Sequence, residues 1–233
     1  MVEITPDDIV IFKWGFMTIN DTIAFTWAVM ALLVILAWRF TRRLSVEPPF
    51  SRSQSLLETL VSYMRDQIRE ISQSSPDSYL PLVGTLFLFI SVSNLLDIVP
   101  GYHTPTGSLS TTAALAICVF FAVPIYGIAR EGVRSYFSHY AKPTVLMLPF
   151  NIIGEISRTL AMAVRLFGNM MSETMLIAIL LTIAPLFLPV ILELLGLLIG
   201  QVQAYIFAVL ATVYIASASS NHENSAKSLK GES

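Results

Sequence analysis

A line of polar side chains runs through the second half of the chain at helical spacing. At 100° per residue, Glu155, Arg158, Met162, Arg165, Asn169, Ser172 and Glu173 fall within an arc of about 100°. The opposite faces of that segment are Leu, Ile, Ala, Met and Val. A second series, Glu193, Gly196, Gly200, Gln203, Phe207 and Tyr214, shares one face of the next apolar segment. Carboxylates at such positions can pass a proton or hold a cation. Arg165 cannot, because a guanidinium is effectively always protonated. It can repel cations, keep a facing carboxylate ionised and interrupt a water wire, all of which are barrier functions. The plainer reading pairs Arg165 with Glu173 or another buried acid, gives Arg158, three residues from Glu155, a structural role, and pairs Glu173 and Glu193 with a neighbouring helix; both readings stand at this level.

Asn94, Asp97, His103, Ser108 and Ser110 form a third polar group, around the end of one apolar run and the start of the next. They are candidates for an external vestibule, with a plain polar loop as the alternative. His139 and His222 are assigned no role, and three scattered histidines make no metal-ligand cluster. No cofactor is expected. Cys118 is the single cysteine, set in an apolar run, and reads as an inert thiol. The chain has no GxSxG, HExxH, Walker or GxGxxG pattern. No bond chemistry is expected of it.

The elements that must hold these residues follow from composition. Of the 233 residues 55% are hydrophobic and only 13% charged, against about 25% charged in soluble domains. Mean hydropathy is +0.69 and formal net charge −2, which argues against a soluble enzyme and a nucleic-acid binder. Runs of the length a bilayer core requires, about 20 residues, lie at 22–38, 80–98, 109–128 and 186–218. The segment 144–183 has no obvious loop and as one helix would be about 60 Å long, twice the bilayer core. It is either a hairpin broken near Gly154 or a strongly tilted helix. Its charges would each cost at least about 2.5–3.5 kcal/mol against lipid, so they must face protein or water.

Lys and Arg cluster after the first run (Arg39, Arg42, Arg43, Arg52, Arg65, Arg69), after the third (Arg130, Arg134, Lys142) and at the end (Lys227, Lys230), whereas the other side has only Lys13. That bias predicts five crossings, an external N-terminus and a cytoplasmic C-terminus, and an odd count favours the tilted helix. The first residues lack the basic n-region and cleavage site of a signal peptide. Residues 53–73 place Leu56, Leu57, Leu60, Tyr63, Met64, Ile68 and Ile71 near one face, an amphipathic helix for the membrane surface or for a soluble partner. The expected fold is an all-α membrane protein of about five crossing helices. It forms one domain over 1–233, with an external segment 1–20, a tilted helix packed on the last one, an amphipathic cytoplasmic-side helix and a tail at 219–233.

The run Arg165-Leu166-Phe167-Gly168-Asn169-Met170 resembles the RLFGNM motif of subunit a of F-type ATP synthases. Gln203-Ala204-Tyr205-Ile206-Phe207 with Val213-Tyr214-Ile215 resembles the last helix of that family. Fainter likenesses are Thr18-Ile19-Asn20, Asn94-Leu95-Leu96-Asp97 and Pro105-Thr106, in order along nearly the whole chain. The resemblance implies an integral, multi-pass stator subunit of a bacterial-type inner membrane. It would sit beside a ring of c subunits, with b-type stalk subunits and the rest of the complex as partners, and form two offset aqueous half-channels for H⁺ or Na⁺. It also implies that Arg165 faces the ionised ring carboxylate, that Gln203 lies close to it and that Asn169 belongs to the access path. The usual bacterial pattern has an acid and a histidine where this chain has Thr174 and Gly196, with Glu173 and Glu193 nearby; Ser108 and Ser110 stand where many members carry Asp and Asn.

Two other classes compete. An ion-coupled secondary transporter predicts internal repeats with matching broken helices, and an intramembrane protease predicts a nucleophile–base pair at membrane depth. The sequence offers neither.

Overall fold

The structure, a computed structural model, describes residues 10–14, 17–42, 52–72, 76–99, 101–133, 147–183 and 188–230. Arg134, His139 and Lys142 lie outside them. A short antiparallel hairpin opens the described chain. Its strands are β1 (Val10–Trp14) and β2 (Met17–Asn20), with Trp14 opposite Met17. Two strands of this length lie below the reach of a periodicity argument, so the hairpin was not foreseen. Everything that follows is helical.

Helix α1 (Asp21–Thr41) starts behind Asn20 in extended conformation and carries Asp21 in its first turn and Arg39 in its last. Each charge sits at the helix end whose partial charge it complements. Helix α2 (Arg52–Ser72) is the amphipathic segment. Helix α3 (Leu80–Leu95) has proline within its first two positions, where the missing N–H costs nothing. It tightens into a 3₁₀ turn at Leu96–Ile98. The chain then reverses through Gly101, whose φ of 88° few other residues tolerate. Helix α4 (Leu109–Glu131) ends at Gly132, also at positive φ, with the Gly132 N–H donating to the Ile128 carbonyl.

Helix α5 (Met147–Ile183) is continuous over 37 residues, so the long segment is one helix, without a break at Gly154. At about 55 Å it fits a bilayer core of about 30 Å only when strongly tilted. Helix α6 (Leu188–Lys230) is longer still and runs on through most of the segment expected as a tail. Five stretches are long and apolar enough to cross a membrane, at Asp21–Thr41, Leu80–Ile98, Leu109–Ala129, Pro149–Ile183 and Leu188–Ser217. The all-α membrane architecture of five crossings stands.

Helix α6 is the hub, packed against α2, α3, α4 and α5. The core between them contains Ile90, Val119, Met162, Leu166, Ala204, Phe207 and Ala211, all essentially inaccessible. Alanines on α6 let larger side chains of its neighbours close in. Helix α1 touches chiefly α3 and leaves Trp27, Val34, Ile35 and Trp38 exposed, as a lipid-facing helix would. The apolar face of α2 is largely covered from within. Met64 and Ile68 are buried, and Tyr205 on α6 donates a hydrogen bond to Gln67 Oε1 at 2.7 Å. The face read as a membrane or partner surface is thus in good part an intramolecular contact, with Val61 and Tyr63 still exposed.

A Cβ added at Gly154 would meet nothing within 4 Å. Gly154→Ala in a continuous helix should therefore stabilise the protein by about 0.5–1 kcal/mol, read as a higher midpoint of thermal unfolding in detergent. A lowered midpoint would mean that the helix bends there.

Candidate functional site

The two polar stripes meet at the contact of α5 with α6. Asn169 on α5 donates from Nδ2 to Oε1 of Gln203 on α6 at 2.8 Å, and Gln203 is only 3% exposed. Arg165 lies one turn from Asn169 but points outward, on the exposed side of α5. Among the described residues it makes no hydrogen bond or ion pair. Arg158 is also exposed and lies over the ring of Tyr214, 5.7 Å from the centroid, a cation–π contact. The α5 stripe is therefore split. Met162 is buried and Asn169 and Glu173 are partly so, whereas Arg158, Arg165 and Ser172 face outward.

Glu173 is about 12 Å along the helix from Arg165, too far to neutralise it. Its carboxyl group lies against Gly196 of α6. A Cβ built on that glycine would fall 1.3 Å from Glu173 Oε1. The glycine is what makes room for the acid. The second α6 glycine admits a polar group too. At Gly200 the neighbour is the Asn94 side chain, with Nδ2 3.0 Å from the built Cβ. Glycines on a transmembrane helix commonly let backbones close in; here they seat polar side chains from α3 and α5 instead.

Beyond Glu173 a cavity of about 350 Å³ opens toward the end of α3. Asp97, His103, Thr104, Glu173, Thr174 and Glu193 are among its lining residues. Asp97 and His103, read from the sequence as part of a separate external group, thus line one cavity with Glu173 and Glu193. Thr104 Oγ1 hydrogen-bonds Asp97 Oδ1, and His103 Nδ1 pairs with Asp21 Oδ2 at 2.8 Å. Tyr102, also on the cavity wall, lies outside the crossing segments, and burial pushes its phenol up, so it remains protonated.

The rest of the external cluster lies elsewhere. Asn94 is 2% exposed; its Nδ2 donates to the Gly200 carbonyl at 2.9 Å, and its Oδ1 accepts from Thr106 at 2.7 Å. It acts as a brace between α3, α6 and the turn before α4. Ser108 is buried and bonds Ser110 at 2.7 Å. None of these three lines the cavity. Sequence reasoning missed Asp21 and Thr104, which attach to cavity residues, and also Ser91 and Gln201. Asp21 had a readable signal as an acid next to the first span, but its partner is 82 residues away.

A buried amide seam, an acid-lined cavity and an arginine on the exposed side of a membrane-length helix thus come together in one multi-helix membrane protein. The family model for the ATP synthase A chain matches residues 23–216. Relatives agree over nearly full length. They include ATP synthase subunit a 2 of Acaryochloris marina (57% identical, 94% of this chain and 93% of the relative) and ATP synthase subunit a 1 of Chlorobaculum parvum (55%, 96% and 99%). Another is ATP synthase subunit a of Nitrosospira multiformis (54%, 97% and 91%). The chain belongs to the ATP synthase subunit a family, the ion-translocating membrane subunits of that complex.

The displaced atom at Gly196 is the end of a flexible side chain. Gly196→Ala should therefore leave the thermal midpoint in detergent nearly unchanged while lowering ATP-driven ion pumping by the assembled enzyme. Removing the clash with Glu173→Ser in the same chain should restore the geometry but not the pumping, because the carboxylate is then gone. Full pumping by Gly196→Ala would show that Glu173 has no fixed place in the route.

Proposed function

We propose that this chain is the stator of a rotary ion motor and that Arg165 is the fixed charge against which a partner ring of carboxylate-bearing c subunits turns. The observation that carries this is the outward, unpaired guanidinium on the exposed side of α5. Such a charge is costly in lipid and becomes favourable against a moving acid. A ring carboxylate is neutral when it faces lipid and ionised when it faces Arg165. An ion enters through the cavity lined by Asp97, Glu173 and Glu193, neutralises the ring acid, and leaves by a second, offset path on the opposite side. The Asn169–Gln203 bridge backs the arginine and separates the two routes. A membrane potential supplies about 2.3 kcal/mol per charge per 100 mV, so several ions drive one ATP.

In this reading the chain performs no catalysis itself; the ATP chemistry lies on partner subunits, with b-type subunits holding the stator. The Lys and Arg bias puts the N-terminus outside, the cavity at the outer face and the C-terminus in the cytoplasm of a bacterial-type inner membrane. The cavity's oxygen ligands suit H⁺ and Na⁺ alike, and the choice between them rests mainly with the ring.

Arg165→Ala should abolish ion-coupled ATP synthesis and ATP-driven pumping in membrane vesicles while the complex still copurifies with its small ring subunits in mild detergent. Normal pumping would overturn the assignment, and absence of ring subunits from the purified parent would favour a transporter. Glu193→Gln should lower passive ion flux through membranes stripped of the catalytic sector more than Glu155→Gln does. Equal flux through the two variants would remove Glu193 from the route.

A further inference from the structure

Helix α6 carries a second amide that nothing in the ion route uses. Gln201 lies two residues before Gln203, so the two side chains project about 200° apart around the helix. Gln203 meets α5; Gln201 meets α3. The contact with α3 is reciprocal. Ser91 Oγ donates to Gln201 Oε1 at 2.5 Å, and Gln201 Nε2 donates to the Ser91 backbone carbonyl at 3.0 Å. One helical turn along α3, Asn94 Nδ2 donates to the carbonyl of Gly200, the residue next to Gln201. Three hydrogen bonds therefore tie one turn of α6 to one turn of α3, immediately before Gln203.

The aliphatic contacts around this turn are too uniform to do this work alone. Lipid tails are as apolar as leucine, so apolar burial does not draw transmembrane helices together. On α6 the neighbours of this turn are Leu197, Leu198, Ile199, Val202, Ala204 and Ile206. A rotation of α6 by one residue would exchange one aliphatic side chain for another at these positions, while the close packing of Ala204, Phe207 and Ala211 would resist it further along the helix. It would cost the amide and glycine positions everything: Gln203 would leave Asn169, and Gly196 would leave Glu173.

We infer that the Gln201–Ser91 pair is the positioning element that fixes the rotation of α6, and through it holds Gln203 against Asn169 beside Arg165. Gln201 touches neither the ion nor the cavity; it acts by where it holds Gln203. The inference rests on the stator reading for its effect on pumping, but its geometric part does not.

The test uses the assembled complex carrying Cys118→Ala, so that introduced cysteines are the only thiols in this chain. Cysteines at 169 and 203 report the α5–α6 contact by oxidative cross-linking, in a chain not used for activity. Pumping per assembled complex is measured separately without those cysteines. Gln201→Met, similar in length but without the amide, should lower cross-link yield severalfold. It should also lower pumping per complex about tenfold, with the amount of ring-bound complex near normal. Ser91→Ala should shift both in the same direction by a smaller factor. The double variant should be no worse than Gln201→Met alone.

Any of three results overturns the inference: unchanged cross-linking whatever the pumping, reduced cross-linking with normal pumping, or a loss confined to the amount of complex. If Gln201→Met does not assemble, the Ser91→Ala readings decide by the same criteria. A parent complex that fails to pump, or an Arg165→Ala complex that pumps normally, would instead count against the stator reading and leave the cross-link result to judge the positioning role.

Discussion

A permanent positive charge inside a membrane must be met by water, by an anion or by a partner, and the architecture is arranged around that constraint. Arg165 is held on the exposed side of α5, without an acid of its own chain to neutralise it among the described residues. Glu173 is about two turns away and turned toward α6, into the place that Gly196 leaves open. Had the two been neighbours on one face of α5, an internal pair would have removed the charge from use. The separation leaves the guanidinium on the exposed side of the helix and the Glu173 carboxylate at the cavity.

The wet side is built by exclusion as much as by attraction. Asp97, Glu173 and Glu193 come from three different helices and line one cavity. When ionised, such groups repel one another strongly in a medium of low dielectric, so a proton or a cation among them is favourable. Thr104 and the Asp21–His103 pair close the polar rim at the end where α1, α3 and α4 begin or end. Asn94, by contrast, spends both ends of its amide on protein partners. It stands three residues before Asp97 in the sequence, yet only Asp97 reaches the cavity.

The fold was largely legible because apolar length and a Lys/Arg bias are strong, local signals. The spans at 22–38, 80–98, 109–128 and 186–218 agree with the helices to within a few residues, apart from the long extension of α6. The continuity of α5 followed from an odd number of crossings rather than from any local feature. The site was legible along each helix but not between helices. Periodicity put Gln203, Gly200 and Gly196 on one face, yet it could not say that one glycine seats an acid and the other an asparagine. It also could not resolve the α5 stripe into inward Asn169 and Glu173 and outward Arg165, which an arc of about 100° spans without distinction. The N-terminal hairpin and the covering of α2 by α6 had no signal at all, because both depend on tertiary contacts between segments far apart in sequence.

The magnitudes explain why so many polar groups gather on α6. A hydrogen bond between transmembrane helices contributes on average about 0.6 kcal/mol, well below the roughly 2.3 kcal/mol that one charge gains from 100 mV. A single bridge could not hold a helix in register against a load of that size. The named bonds from Ser91, Asn94 and Asn169 to Gln201, Gly200 and Gln203 together reach about 2–3 kcal/mol, comparable with the work of one ion. On the rotary reading, a ring pushing on Arg165 transmits force into α5 and from there into α6 at the Asn169–Gln203 bridge. A helix free to turn under that force would absorb the energy of the ion instead of passing it to the ring. The polar contacts that are least conspicuous in the sequence, those facing away from the ion route toward α3, are therefore the ones that let the conspicuous ones bear load.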